Sequence, residues 1–186
     1  LNPDMIFEAD FIEKMVEAIE ADGQAGAVAP KIFKWDFENN KKTNQLDSLG
    51  LALSKEHRFF DARQGEPDDA LIGSAREVFG FTGAAALLNL QALEDTAYRH
   101  HPNSKNPPNP PSNSAGKLYQ GGTTQGGNIE YFDELMFMYK EDCDLSYRLR
   151  LAGWKIILEP GAAAYHNRAV AAKGKTILQR VYHIDR

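Results

Sequence analysis

Glu141-Asp142-Cys143-Asp144-Leu145-Ser146-Tyr147-Arg148-Leu149-Arg150-Leu151-Ala152-Gly153-Trp154-Lys155-Ile156-Ile157-Leu158 joins a helix pattern to a strand pattern through a single glycine. Its first part places Leu145, Leu149 and Ala152 on one face of a helix, with Arg148 and Arg150 projecting elsewhere. Gly153 falls where a left-handed C-terminal cap is expected, since glycine takes a positive φ without a Cβ penalty. Lys155 to Leu158 then reads as an apolar strand, Glu159-Pro160-Gly161 as a turn, and Ala162 to His166 as a second short strand. Helices alternating with strands in this way argue for an α/β domain. The helix also opens on Glu141, Asp142 and Asp144, where unpaired N–H groups and the positive end of the macrodipole favour ionised carboxylates. A general base must be ionised before it can accept a proton. For an isolated Glu-Asp pair, helix capping alone would explain the pattern.

Working outward, Phe132 to Tyr139 is rich in aromatics and Met and delivers the chain to the acidic cluster. Asp10 to Ala21 carries a helical stripe of Phe11, Ile12, Met15, Val16 and Ile19, with Asp10 and Glu13 spaced as a capping box. Gly23 to Phe33 reads as a turn and a buried strand, and the polar stretch Trp35 to Asn44 as a loop. Gln45 to Ser54 and His57 to Ala62 follow as two strands in hairpin order. Glu77 to Gly83 leads into an Ala/Leu run through Leu88 that fits strand or helix equally well. The segment from His100 to Asn128 is dense in Pro, Asn, Ser and Gly, which predicts a flexible loop or insertion at about 100–128. Its His100-His101 pair reads as solvent-exposed residues at a loop edge rather than as metal ligands.

Composition sets outer limits. With 186 residues, 42% of them apolar, the chain suits one soluble domain, partial or whole, spanning 1–186. Asp and Glu number 26 against 21 Lys and Arg, so there is no basic footprint for nucleic acid. The single Cys143 rules out an internal disulfide and fits a reducing compartment. No apolar run approaches the roughly 18 residues that span a bilayer, and no signal peptide is visible. The chain opens on Leu1-Asn2-Pro3-Asp4, which reads as a strand end entering a turn and as an excerpt from a longer protein.

Asn2 and Asp4 offer oxygen ligands of the kind Mg²⁺ or Mn²⁺ accepts, although Asn-Pro-Asp is also a common turn. His166 ends a strand-like run among small apolar residues, where a lone histidine is usually structural unless carboxylates reach it. The ordered series is more specific than its parts. It runs through Leu1-Asn2-Pro3-Asp4, Gly26-Ala27-Val28-Ala29-Pro30-Lys31, Asp47-Ser48-Leu49-Gly50 and Phe79-Gly80-Phe81-Thr82-Gly83-Ala84-Ala85. It continues with Phe132-Asp133-Glu134, Tyr139 to Leu145, Gly153-Trp154-Lys155 and Tyr165-His166. This series resembles family 2 glycosyltransferases, in particular their bacterial rhamnosyltransferase-like branch.

The resemblance implies a GT-A-like (nucleotide-diphospho-sugar transferase) fold whose N-terminal nucleotide-binding strands are missing from this chain. It implies inverting transfer of a sugar from a UDP-, dTDP- or GDP-linked donor to a saccharide or polyprenyl-linked glycan, in bacterial cell-surface polysaccharide synthesis. Asp142 would be the catalytic base, with Glu141 orienting the acceptor or the loop. Asp4, Asn2 and His166 would hold a divalent metal, Mg²⁺ or Mn²⁺, and Gly83, Ala84 and Trp154 would lie on the acceptor side. A cytoplasmic setting follows, with peripheral association at the inner membrane face. The alternative is a non-catalytic glycan-binding or assembly module that kept the fold, and without the donor half this piece is expected to be inactive alone. A glycoside hydrolase using Glu141 and Asp142 is a poor fit. Adjacent residues diverge, and no second carboxylate is identifiable at the required separation of roughly 5–9.5 Å.

Overall fold

The computed structural model describes residues 1–36, 38–69, 71–99, 129–133, 136 and 140–167. The described elements run, in order, β1 (Met5–Phe7), α1 (Phe11–Ala21), β2 (Ala25–Asp36), β3 (Lys41–Ser48), β4 (Leu51–Leu53) and β5 (Phe59–Asp61). They continue with β6 (Arg76–Val78), β7 (Leu87–Leu88), α2 (Leu90–Thr96), β8 (Tyr98–Arg99), β9 (Ile129–Glu130), α3 (Glu141–Leu151) and β10 (Lys155–His166). The two longest strands, β2 and β10, lie parallel at the centre of a mixed sheet ordered β1-β10-β2-β3. Strand β6 also pairs with β10 and β7 with β2, while β4–β5 and β8–β9 form separate antiparallel ribbons. The fold is therefore α/β, as the alternation of elements predicts.

Both faces of the sheet are covered, which is why its central strands are nearly continuously apolar. On one face Met5, Val28, Ile32, Ile157 and Ala164 pack against Phe11, Met15 and Ala18 of α1. On the other, Ala27, Ala29, Phe33, Ile156, Leu158 and Tyr165 pack against Ala92 of α2 and Leu145 and Leu149 of α3. From Ala27 to Phe33 along β2 the assignment alternates, as a period of two requires. Along β10 it does not. Glu159 is opposite Pro30 and Ala163 is opposite the next residue, Lys31, so the residues between them form a bulge. This odd insertion reverses the alternation: Ile156 and Leu158 share a face with Tyr165, whereas Ile157 shares one with Ala164. His166 is thereby turned to the α1 side of the sheet. The bulge is tied locally, with the Gly161 N–H donating to Glu159 Oε1 (2.7 Å) and the Gly161 carbonyl accepting from Lys14 Nζ of α1 (3.0 Å).

Several expectations need correction. Glu159-Pro160-Gly161 is this bulge within one strand, not a turn between two. Trp35 to Asn44 is not a loop, because β2 continues to Asp36 and β3 begins at Lys41, pairing back across a tight reversal. Gln45 to Ser54 is broken between β3 and β4 by Gly50, whose φ of 81° ends the first strand. The hairpin order of the following strands is found, as β4 with β5. The run to Leu88 ends as a short strand, β7, and the helix α2 after it was unforeseen. Asp10 makes no side-chain cap on α1; its carboxylate instead pairs with Lys14 (2.6 Å). On α3, Leu145 and Leu149 are buried as expected, but Ala152 is exposed and Arg148 is buried. Gly153 does close α3 with a φ of 90°, and the Gly153 and Trp154 N–H groups bond the carbonyls of Arg150 and Leu149. The predicted loop at 100–128 and the His100-His101 pair lie outside the described residues.

Candidate functional site

The end of β10 gathers the first group of residues. Met5 pairs antiparallel with His166, and the Asn167 N–H bonds the Asp4 carbonyl (2.9 Å), so the turn containing Asp4 is clamped to the strand end. His166 Nε2 lies 3.2 Å from Asp4 Oδ2, and its Nδ1 lies 2.9 Å from Asp47 Oδ2 on β3. Asp47 is fully buried, whereas the Asp4 side chain is 36% exposed. The ring therefore stands between an interior carboxylate and one that faces outward. Asp47 opens the Asp47-Ser48-Leu49-Gly50 stretch, which by itself assigns it no role. The signal that could have found it is a carboxylate between Leu46 and Leu49 in a buried strand, a placement that is costly without a partner.

The second group forms where α3 meets the segment 80–85. The α3 N-cap position is Lys140, held at a φ of 77°, and Glu141, Asp142 and Asp144 fall in the first turn. The Asp142 carboxylate accepts from the Gly83 N–H through Oδ2 (2.9 Å) and from the Cys143 N–H through Oδ1 (2.8 Å). One turn later Ser146 Oγ accepts from the Phe81 N–H (3.2 Å). Asp142 and Ser146 thus fasten one helix face to a single short segment, at the spacing that places i and i+4 together. Glu141 lies alongside, with a buried Oε2 that has no hydrogen-bond partner among the described residues. Gly83, whose N–H holds Asp142, is exposed and carries no side chain of its own.

One backbone contact joins the two groups. The Asn2 N–H donates to the Ala84 carbonyl (2.8 Å), next to the residue whose own N–H holds Asp142. Ala84 itself points into the core and contributes only its backbone. The structure therefore brings Asn2, Asp4, His166, Gly83, Ala84, Asp142 and Glu141 to one region. Trp154 is not among them. It follows the other end of α3, about 16 Å along the helix, and its indole N–H bonds Asp95 (3.2 Å). Asp144 is also engaged elsewhere, pairing with Arg148 (2.8 Å) and accepting from Tyr98 Oη (3.2 Å). The buried Cys143 thiol is pushed up to about 12, first by burial and then by the Asp142 charge, so it stays neutral beside the acidic pair.

Asp4 and His166 offer one carboxylate and one imidazole nitrogen, with the exposed Asn2 beside them. Mg²⁺ sites of phosphate chemistry commonly use one or two protein carboxylates and complete the shell with water and substrate phosphate. Among the described residues no three His, Cys, Asp or Glu converge to hold a metal. The reason is geometric, since Asp4 and Asp47 meet opposite nitrogens of the same ring. This donor set fits a cation shared with a phosphate-bearing ligand, and does not fit a closed protein cage.

No protein-family model matches the chain. Over 43 residues, 23% of its length, it is 46% identical to N-acetylglucosaminyl-diphospho-decaprenol L-rhamnosyltransferase of Mycobacterium tuberculosis strain CDC 1551 / Oshkosh. The match to the protein of the same name in strain ATCC 25618 / H37Rv has the same extent and identity. The aligned part spans 14% of each of these relatives. This partial match points to a relationship with glycosyltransferases. Among the described residues, no helix is long and apolar enough to cross a membrane.

Proposed function

We propose that the chain is part of an inverting, metal-dependent glycosyltransferase of family 2 with a GT-A fold. It would contribute the metal-ligand turn, the acceptor side and the base. The observation that supports this reading is the Asn2–Ala84 bond, which ties the segment carrying Asp4, the partner of His166, to the segment whose Gly83 anchors Asp142. The substrates are a nucleotide-sugar donor and the hydroxyl of a saccharide or polyprenyl-linked glycan, the latter in keeping with the relatives' name. The setting is bacterial cell-envelope synthesis, at the cytoplasmic face of the membrane.

Asp142 accepts the acceptor hydroxyl proton as that oxygen attacks the anomeric carbon, opposite the departing nucleoside diphosphate, and configuration inverts. Its two backbone hydrogen bonds hold the carboxylate in one orientation, so little reorganisation accompanies the transfer. Glu141 Oε2, buried and without a partner among the described residues, is suited to accept a second hydrogen bond from the acceptor and so fix its approach. Gly83 leaves the space that a sugar ring would enter. A divalent ion held by Asp4, His166 and Asn2 would neutralise charge developing on the leaving diphosphate.

The test is Asp142→Asn in the full-length protein. Transfer is expected to fall by about 10²–10⁴-fold while donor binding stays near normal. Turnover equal to wild type would remove Asp142 from the base role.

A further inference from the structure

Asp47 takes no part in the chemistry above, yet it is completely buried, and its Oδ2 lies 2.9 Å from His166 Nδ1. A buried carboxylate is costly, and an apolar residue of similar size at such a position is often as stabilising or more so. We propose that Asp47 is the positioning residue of the cation site: it holds His166 with a hydrogen on Nδ1, so that Nε2 is offered toward Asp4.

Three features of the fold converge on this arrangement. The bulge in β10 turns His166 to the α1 face of the sheet, and a second register shift, in β3, leaves Asp47 as the extra residue between Leu46 and Ser48, from where its carboxylate reaches the ring. The pairs Ile32↔Ser48 and Phe33↔Leu46 hold β3 against β2 on either side of Asp47, so the residue sits within a paired strand rather than on a loop. Asp4 approaches the ring from the other side, at the exposed end. A histidine that ligates a metal through one nitrogen usually donates its other N–H to a carboxylate or carbonyl, and losing that partner costs about 10- to 100-fold in metal affinity. Asp47 supplies such a partner from the interior, where water cannot substitute for it.

The proposal rests on the cation reading of Asp4 and His166, and the experiment separates the two. Mn²⁺ binding to the full-length protein is followed by electron paramagnetic resonance for wild type, D47N, H166A and the double variant. D47N is expected to weaken Mn²⁺ binding by about 10- to 100-fold, and to add nothing in the H166A background, because its effect passes through the ring. Wild-type affinity in D47N, or an equal loss in both backgrounds, would overturn the role of Asp47 alone. Failure of the wild type to bind Mn²⁺ at millimolar concentration would overturn the cation reading and this role with it. Should D47N not fold, the wild type loaded with Mg²⁺ decides the matter by ¹⁵N NMR of the His166 ring. Hydrogen on Nδ1 and none on Nε2 is expected, and hydrogen on Nε2 overturns the proposal.

Discussion

Gly80 and Gly83 stand on the same short segment, but a methyl group would meet different surroundings at each. At Gly80 an added Cβ would lie 2.7 Å from Ser146 Oγ and 2.8 Å from Ser146 Cβ, so α3 would have to move. At Gly83 the nearest atoms would be Asp142 Oδ2 at 3.6 Å and Asp142 Cβ at 3.7 Å, which is ordinary contact. Gly80→Ala is therefore expected to cost about 1–3 kcal/mol in urea unfolding. Gly83→Ala should leave stability within about 0.5 kcal/mol but lower kcat/KM by about tenfold or more, because its methyl takes up space beside the carboxylate that the acceptor would need. Equal stability losses in the two variants would mean that Gly83 serves packing rather than access. Both glycines were visible in the sequence. That α3 crowds one of them and leaves ordinary room at the other was not, since this depends on where α3 docks.

Within α3 the two arginines have opposite fates. Arg148 is 5% exposed; its guanidinium bonds Asp144, the Thr96 carbonyl and the Tyr131 carbonyl, and lies 4.5 Å from the Tyr98 ring centre. It thereby links α3 to α2 and to the residues around β8 and β9. Arg150 pairs with the half-exposed Glu77 at the surface. Removing one member of a buried pair leaves the other uncompensated, so Arg148→Met is expected to cost about 3–5 kcal/mol. Arg150→Met should cost about 1 kcal/mol or less. Denaturant midpoints of the two variants measure the contrast, and similar values would show that Arg148 is not the anchor of this helix. Helical spacing located the apolar stripe correctly at Leu145 and Leu149. It could not foresee a buried arginine, because the carbonyls that satisfy it come from other elements.

For the whole molecule, alkaline stability follows from two buried groups. The Cys143 thiol is pushed up to about 12 from 9.0, chiefly by burial, and the Tyr165 phenol to about 12 from 10.0, by burial and then by its hydrogen bond to Glu8. In each case the folded state keeps its proton to higher pH than the unfolded chain does. The associated stability is therefore complete below the unfolded pKa, and is lost as pH rises through the window from 9.0 to about 12. The urea midpoint should fall across that window, and the fall should be shallower in a Cys143→Ala/Tyr165→Phe double variant than in wild type; an unchanged slope would refute the assignment. The same scale separates what local pattern can reveal from what it cannot. Periodicity and turn chemistry alone determined the α/β class, helices α1 and α3, the buried strand β2, the glycine stop at Gly153 and the acidic opening of α3, because each depends on residues close together in the chain. Tertiary structure alone decided the rest. The bulge at Pro160-Gly161 reverses the facing of β10, and only that reversal puts His166 between Asp4 and Asp47, residues far apart in sequence. A strand's period of two predicts which side a residue takes only until the pairing register shifts, and that shift is set by the neighbouring strand.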